Sequence, residues 1–199
     1  MFISFDSNKF FTLKSSHLKY LFFIGCLFTT ISVLAQTPAL VKGSKIYIVR
    51  HAEKQGGDDP LLTDDGNKRA GDLMRKLKDK NITRIYVSQF KRTQNTADSM
   101  RIQLGIDTVH ANADTSCTEL FAAITAKGDW DKRILIVTHS NIIQKIIYKL
   151  GITDFPQENI PDGEFDNLYV ISFKKDNDKP TLKKSKYGKP SAASAQMKQ

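Results

Sequence analysis

In Ile46-Tyr47-Ile48-Val49-Arg50-His51-Ala52-Glu53 an apolar run of four residues leads into an arginine and a histidine. Four consecutive β-branched or aromatic residues predict a strand buried on both faces. The pair at its carboxyl end sets a nucleophile beside a fixed positive charge. A guanidinium grips phosphoryl oxygens in bidentate fashion, and a neutral imidazole attacks phosphorus. Arg-His pairs arise by chance in many chains, so the surrounding pattern decides the meaning of this one. Ser88-Gln89-Phe90-Lys91-Arg92-Thr93 follows a second apolar run, Ile85-Tyr86-Val87, and Thr138-His139-Ser140 follows a third, Ile134-Leu135-Ile136-Val137.

Working outward, helical periodicities alternate with these runs. A polar loop over 54–59 leads to a helix capped by Thr63, with Ala70, Leu73, Met74 and Leu77 on one face. A second helix starts near Arg92 or Thr93, turns Ala97, Met100 and Leu104 inward, and stops at Gly105. Thr108-Val109-His110 is a short strand, and a third helix covers 119–126. A fourth, over 141–150, places Ile142, Ile143, Ile146, Ile147 and Leu150 inward. Residues 168–173 and 181–187 flank Asp176-Asn177-Asp178 as an edge hairpin. This order predicts one α/β domain, a three-layer sandwich with a mainly parallel central sheet. In such sheets ligands bind at the carboxyl ends of the strands. Arg50, His51, Arg92 and His139 all fall on that rim.

Arg50-His51-Ala52-Glu53, Leu62-Thr63-Asp64-Asp65-Gly66, Ser88 to Thr93 with Thr96-Ala97, and Thr138-His139 together resemble the histidine phosphatase superfamily, the phosphoglycerate-mutase-like fold. The resemblance runs in the family's order from about Lys45 to Gly151. Ala52 replaces the usual glycine, and Gln89 stands where a proline often follows the serine. The short layout is similar to the small bacterial phosphohistidine phosphatases. The resemblance implies that His51 is the nucleophile, that Arg50, Arg92 and His139 bind the phosphoryl oxygens, and that Glu119 is the proton donor.

Read from the residues alone, two guanidiniums disfavour protonation of His51 and keep it nucleophilic. Its other nitrogen should donate to a backbone carbonyl, which fixes the tautomer. Asp114 is the alternative to Glu119 as acid, and Glu119 is also read as a surface carboxylate stabilising a helix start. Glu53 and Ser88 are read as orienting neighbours or as ordinary loop polars. His17 and His110 complete no metal-ligand spacing, so neither a metal nor another cofactor is expected.

The 199 residues carry a formal charge of +9. Lys9, Lys14 and Lys19 precede an apolar stretch over 20–34, and Val33-Leu34-Ala35 suits signal peptidase. Residues 1–35 therefore read as a signal peptide, 36–188 as the phosphatase domain and 189–199 as a flexible basic tail. A periplasmic or secreted location follows. An uncleaved anchor is the rival, although the stretch of about 15 residues is shorter than the roughly 20 a spanning helix needs. Gly25-Cys26 is a weaker lipoprotein signal.

Without residues 1–35 the charge is about +7, and the five lysines after Leu182 leave the body near +2. No aromatic stripe interleaves with those lysines, so no nucleic-acid partner is expected, nor any stable membrane span after cleavage. Nothing in the pattern specifies an oligomeric state. Cys26 leaves with the signal peptide, and Cys117 reads as a small buried apolar residue. The function expected is hydrolysis of a small phosphate monoester or of phosphohistidine through a covalent intermediate on His51. A phosphoglycerate-type mutase and a non-catalytic phosphate-binding module are the alternatives.

Overall fold

The structure, a computed structural model, describes residues 43–156, 160–174 and 177–191. The expected signal peptide and residues 192–199 of the tail lie outside the described residues. The strands are β1 (Lys45–Arg50), β2 (Arg84–Val87), β3 (Thr108–His110), β4 (Arg133–Thr138), β5 (Asn167–Lys174) and β6 (Asn177–Lys186). The helices are α1 (Asp64–Leu77), α2 (Lys91–Leu104), α3 (Thr118–Ala126) and α4 (Ser140–Lys149). No helix among the described residues is long and apolar enough to cross a membrane.

The strands form one sheet in the order β3-β2-β4-β1-β5-β6. β1, β2, β3 and β4 are parallel, and the β5–β6 hairpin joins β1 in antiparallel sense. Both faces of β1, β2 and β4 are covered, which is why their central residues are apolar throughout, whereas the edge strand β3 is only partly buried. Ile46, Ile48, Ile134 and Ile136 pack with Ile143, Ile146 and Ile147 of α4 and Ile124 of α3. Tyr47, Val49, Leu135 and Val137 point the other way, onto Leu73 and Leu77 of α1 and Ala97 and Met100 of α2. Strand alternation thus divides one apolar run between two layers. The expected three-layer sandwich and edge hairpin are present.

The local signals act through identifiable contacts. Thr63 caps α1 by accepting the Gly66 N–H at 3.1 Å. Gly66 allows a close approach, because a Cβ there would come within 2.1 Å of the Glu53 carbonyl oxygen. That approach sets the first turn of α1 against the turn that follows β1. Leu104 corrects one expectation: it is exposed, while Thr93 and Thr96 are buried. Their hydroxyls make this possible by bonding to backbone groups. Thr96 Oγ1 donates to the Arg92 carbonyl at 2.7 Å and accepts the Ala52 N–H at 2.8 Å. α2 therefore anchors the Arg-His-Ala turn directly.

Register decides where the chemistry lies. Arg50 pairs with Thr138 and Val87 with Val137. The next residues, His51, His139 and Ser88, emerge together at the carboxyl edge.

Candidate active site

His51 is buried at the end of β1, its N–H bonded to the Thr138 carbonyl at 2.8 Å. Its Nδ1 lies 2.8 Å from the Ala52 carbonyl oxygen. A carbonyl can only accept, so in the neutral ring Nδ1 carries the proton and Nε2 keeps the lone pair. Burial pushes the imidazole down to about 3, with smaller downward contributions from His139, Arg50 and Arg92. The Ala52 bond opposes that shift. Desolvation, more than the two guanidiniums, keeps this ring neutral.

His139 caps α4 and stands edge-on to His51, with ring centroids 5.4 Å apart. Burial, followed by the charges of Arg92 and Arg50, lowers its imidazole to about 4. Its Nε2 lies 3.0 Å from Ser88 Oγ, which lies 2.9 Å from Thr93 Oγ1. The Ser88 N–H also donates to Thr93 Oγ1 at 3.2 Å. Ser88 is thus an orienting residue tied to α2.

Arg92 lies in the first turn of α2, its guanidinium 4.1 Å over the Phe90 ring. Arg50 is buried, and its Nη1 donates to carbonyls of residues 161, 162 and 164. The Nε atoms of both arginines are buried without a hydrogen-bond partner among the described residues. Two unpaired guanidinium donors beside two neutral imidazoles make a site complementary to a compact anion. The positive ends of α2 and α4 open onto the same place, and neither helix has a side-chain cap from its N-cap residue.

A cavity of about 320 Å³ is lined by His51, Arg92, His139, Phe90 and the first turn of α4. Lys54, Ala113 and Thr115 complete it, and no carboxylate among the described residues lines it. The structure therefore brings His51, Arg92 and His139 together, with Arg50 adjoining, and leaves Glu119 outside. Glu119 is exposed in the first turn of α3 and accepts from the Asn112 N–H at 3.0 Å and the Asn112 side-chain amide at 2.9 Å. Asp114 also stays out of the lining. A Ser116 hydroxyl bond, reinforced by backbone N–H groups, holds its carboxyl below the ordinary range, opposite to what a proton donor needs.

Two contributors were missed at the sequence level. Lys54 directly follows the first motif, and its backbone is fixed by pairing with Leu62, so the signal was adjacency. The loop over 160–166 received no role from the sequence. Pro161-Asp162-Gly163 marks a turn, but nothing in the sequence says that it lies over Arg50. Cys117 is buried and its thiol is raised to about 11 by burial, which suits a structural residue. Glu53 is paired with Arg69 at 2.6 Å.

Comparison with known proteins agrees with this geometry. Residues 46–114 match the model of the Histidine phosphatase superfamily (branch 1), a span that includes Arg50, His51 and Arg92. A candidate phosphohistidine phosphatase, SixA, from Agrobacterium tumefaciens has a similar structure, with a TM-score of 0.54 at 17% identity over 73% of this chain and 97% of that one. The alpha-ribazole phosphatase of Shigella flexneri gives a TM-score of 0.52 at 17% identity over 70% and 94%. The phosphoserine phosphatase of Entamoeba histolytica gives 0.50 at 17% over 73% and 98%. At such identities the likeness is one of fold. No curated protein matches this sequence. Residues 46–114 thus resemble the histidine phosphatase superfamily, and the described domain shares its fold with the phosphatases just named.

Proposed function

We propose that this protein is a phosphatase that hydrolyses small phosphate monoesters or phosphohistidine through a phosphohistidine intermediate on His51. The observation that carries the reading is the Nδ1-to-Ala52 bond beside two buried, unpartnered guanidinium Nε atoms. In the first step His51 Nε2 attacks phosphorus and the bond to the leaving atom breaks, its electron pair leaving with that atom. Arg50 and Arg92 neutralise the phosphoryl oxygens as charge spreads over them. For His139 to donate from Nδ1, its Nε2 accepts from Ser88 Oγ, while the Thr93 hydroxyl donates to the Phe90 carbonyl at 2.8 Å. Water then attacks the phosphohistidine, the N–P bond breaks, and His51 regains its lone pair.

A cavity with no carboxylate among its described lining residues favours leaving groups that need little acid help, such as an imidazole or a phenol. Phosphohistidine fits that description better than an alkyl phosphate. The similar structures bear the names of phosphohistidine, alpha-ribazole and phosphoserine phosphatases, which supports phosphate-ester hydrolysis in general. A mutase must hold its intermediate away from water, and this small cavity opens to solvent. Export with cleavage after Ala35 belongs to the same proposal.

The test is phosphate release from an aryl phosphate and from a phosphohistidine peptide, with a chelator control and His51→Ala alongside. Chelator-resistant turnover that disappears in the variant is expected, with faster hydrolysis of the phosphohistidine peptide. Phosphate binding that requires Arg50 and Arg92 without any turnover would replace this reading by that of a binding module.

A further inference from the structure

Arg50 is held by a loop, and that loop is in turn held by the end of the chain. Arg50 Nη1 donates to the carbonyls of Pro161 at 2.9 Å, Asp162 at 2.9 Å and Glu164 at 3.4 Å. Its guanidinium lies 4.3 Å over the Phe165 ring. Carbonyls and a ring on one side define the plane of the guanidinium, provided that the loop carrying them is rigid.

The rigidity comes from the segment after β6, residues 187–191. The Phe165 N–H donates to Ser191 Oγ at 3.1 Å, and the Ser191 N–H donates to Asp166 Oδ2 at 3.2 Å. The Tyr187 N–H donates to the Asp166 carbonyl at 2.9 Å. Lys186 Nζ adds bonds to Glu164 at 2.5 Å and to Asp166 at 2.9 Å. From the opposite side, Arg69 Nη1 donates to the Tyr187 carbonyl at 3.3 Å and the Lys189 carbonyl at 2.9 Å. Arg69 is itself paired with Glu53, two residues beyond His51. Burial works against the Arg69 charge, and the Glu53 partnership more than reverses that effect. Residues 189–191, placed in the basic tail on sequence grounds, are thus bound to the body of the domain, and Ser191 is buried.

We propose that Ser191 is a positioning residue for Arg50: its hydroxyl fixes Phe165, and with it the loop that aims the guanidinium at the phosphoryl group. This rests on the reading of Arg50 as a phosphate ligand. Ser191 touches no reacting atom. Its effect passes through two contacts, Ser191 to Phe165 and Phe165 to Arg50, and therefore depends on Arg50 being present.

The test uses the full chain and inorganic phosphate as probe, with affinity measured by calorimetry so that no turnover is required. Ser191→Ala leaves the Phe165 N–H without its acceptor and should weaken phosphate binding on the order of tenfold. Ser191→Thr keeps the hydroxyl and should restore the affinity. In an Arg50→Lys background, Ser191→Ala should change affinity by less than about twofold, because the two effects share one route. Thermal melts of every variant show that it is folded. An unchanged affinity in Ser191→Ala overturns the proposal and leaves the phosphatase reading intact. The same tenfold loss in both backgrounds overturns it too, since Ser191 would then act on the domain at large. A wild-type protein that does not bind phosphate overturns both readings.

Discussion

Lowering the pH from 7 to 5 in a phosphate-free buffer should remove about 4 kcal/mol from the unfolding free energy, nearly all of it through His51 and His139. Both rings have an ordinary value of 6.5 and are lowered by burial, to about 3 and about 4. In the unfolded chain each takes up a proton as the pH falls through 6.5, while in the folded chain each remains neutral. The unfolded state therefore binds more protons, so stability is fully present above about pH 7 and declines as the pH falls. At pH 5, about 1.5 units below the ordinary value, each ring forfeits about 2 kcal/mol at 1.36 kcal/mol per unit. The figure tolerates error in the folded values, because any value well below 5 gives nearly the same loss.

The carboxylates held below their ordinary values, Asp129 and Glu164 among them, start near 3.8 and 4.5 and so contribute mainly at lower pH. Urea titrations at pH 7, 6 and 5, extrapolated linearly to water, measure the effect. His51→Asn and His139→Asn should each halve the decline, whatever their effect at pH 7. A loss of about 4 kcal/mol is a large share of the 5–15 kcal/mol typical of a domain. Stability that stayed within about 1 kcal/mol between pH 7 and 5 would refute the depressed imidazoles, because linkage then requires equal proton binding in both states.

Glu119→Gln and Asp114→Asn should each change kcat for an aryl phosphate by less than about threefold, since neither carboxylate lines the cavity; a loss of about a hundredfold in either would identify it as the proton donor after all. Lys54→Met should raise KM for the same substrate by about three- to tenfold with kcat little changed, as expected of an exposed lining cation that binds ground and transition states alike. An equal fall in kcat and kcat/KM would instead place the ammonium on the transition state.

Much of the fold could be read locally because its signals are local. Ile46–Val49 and Ile134–Val137 are apolar throughout since helices cover both faces of the sheet, and Thr63 and Gly105 mark helix ends through bonds or backbone angles within a few residues. Leu104 broke the pattern because a threonine hydroxyl can return its bond to the backbone and so bury Thr93 and Thr96 where periodicity alone would choose leucine. Arg50, His51 and His139 were identifiable because each ends a strand or follows directly on one, so position in the sheet and position in the sequence coincide; Arg92 stands in the first turn of the helix that follows β2. Glu119 had no such guide. A carboxylate at a helix start faces either the site or the solvent, and only the packing of α3 shows that its oxygens meet Asn112.

Taken alone, the sequence determined the strand and helix order, the parallel sheet and the identity of the histidines and arginines on its rim, all of which depend on nearest neighbours in the chain. The tertiary structure decided which nitrogen of His51 keeps its lone pair, that burial outweighs the guanidiniums in keeping it neutral, and that Ser191 reaches the loop over Arg50. Those outcomes depend on contacts between residues far apart in the chain and on exclusion of water, and neither has a local signature in the order of amino acids.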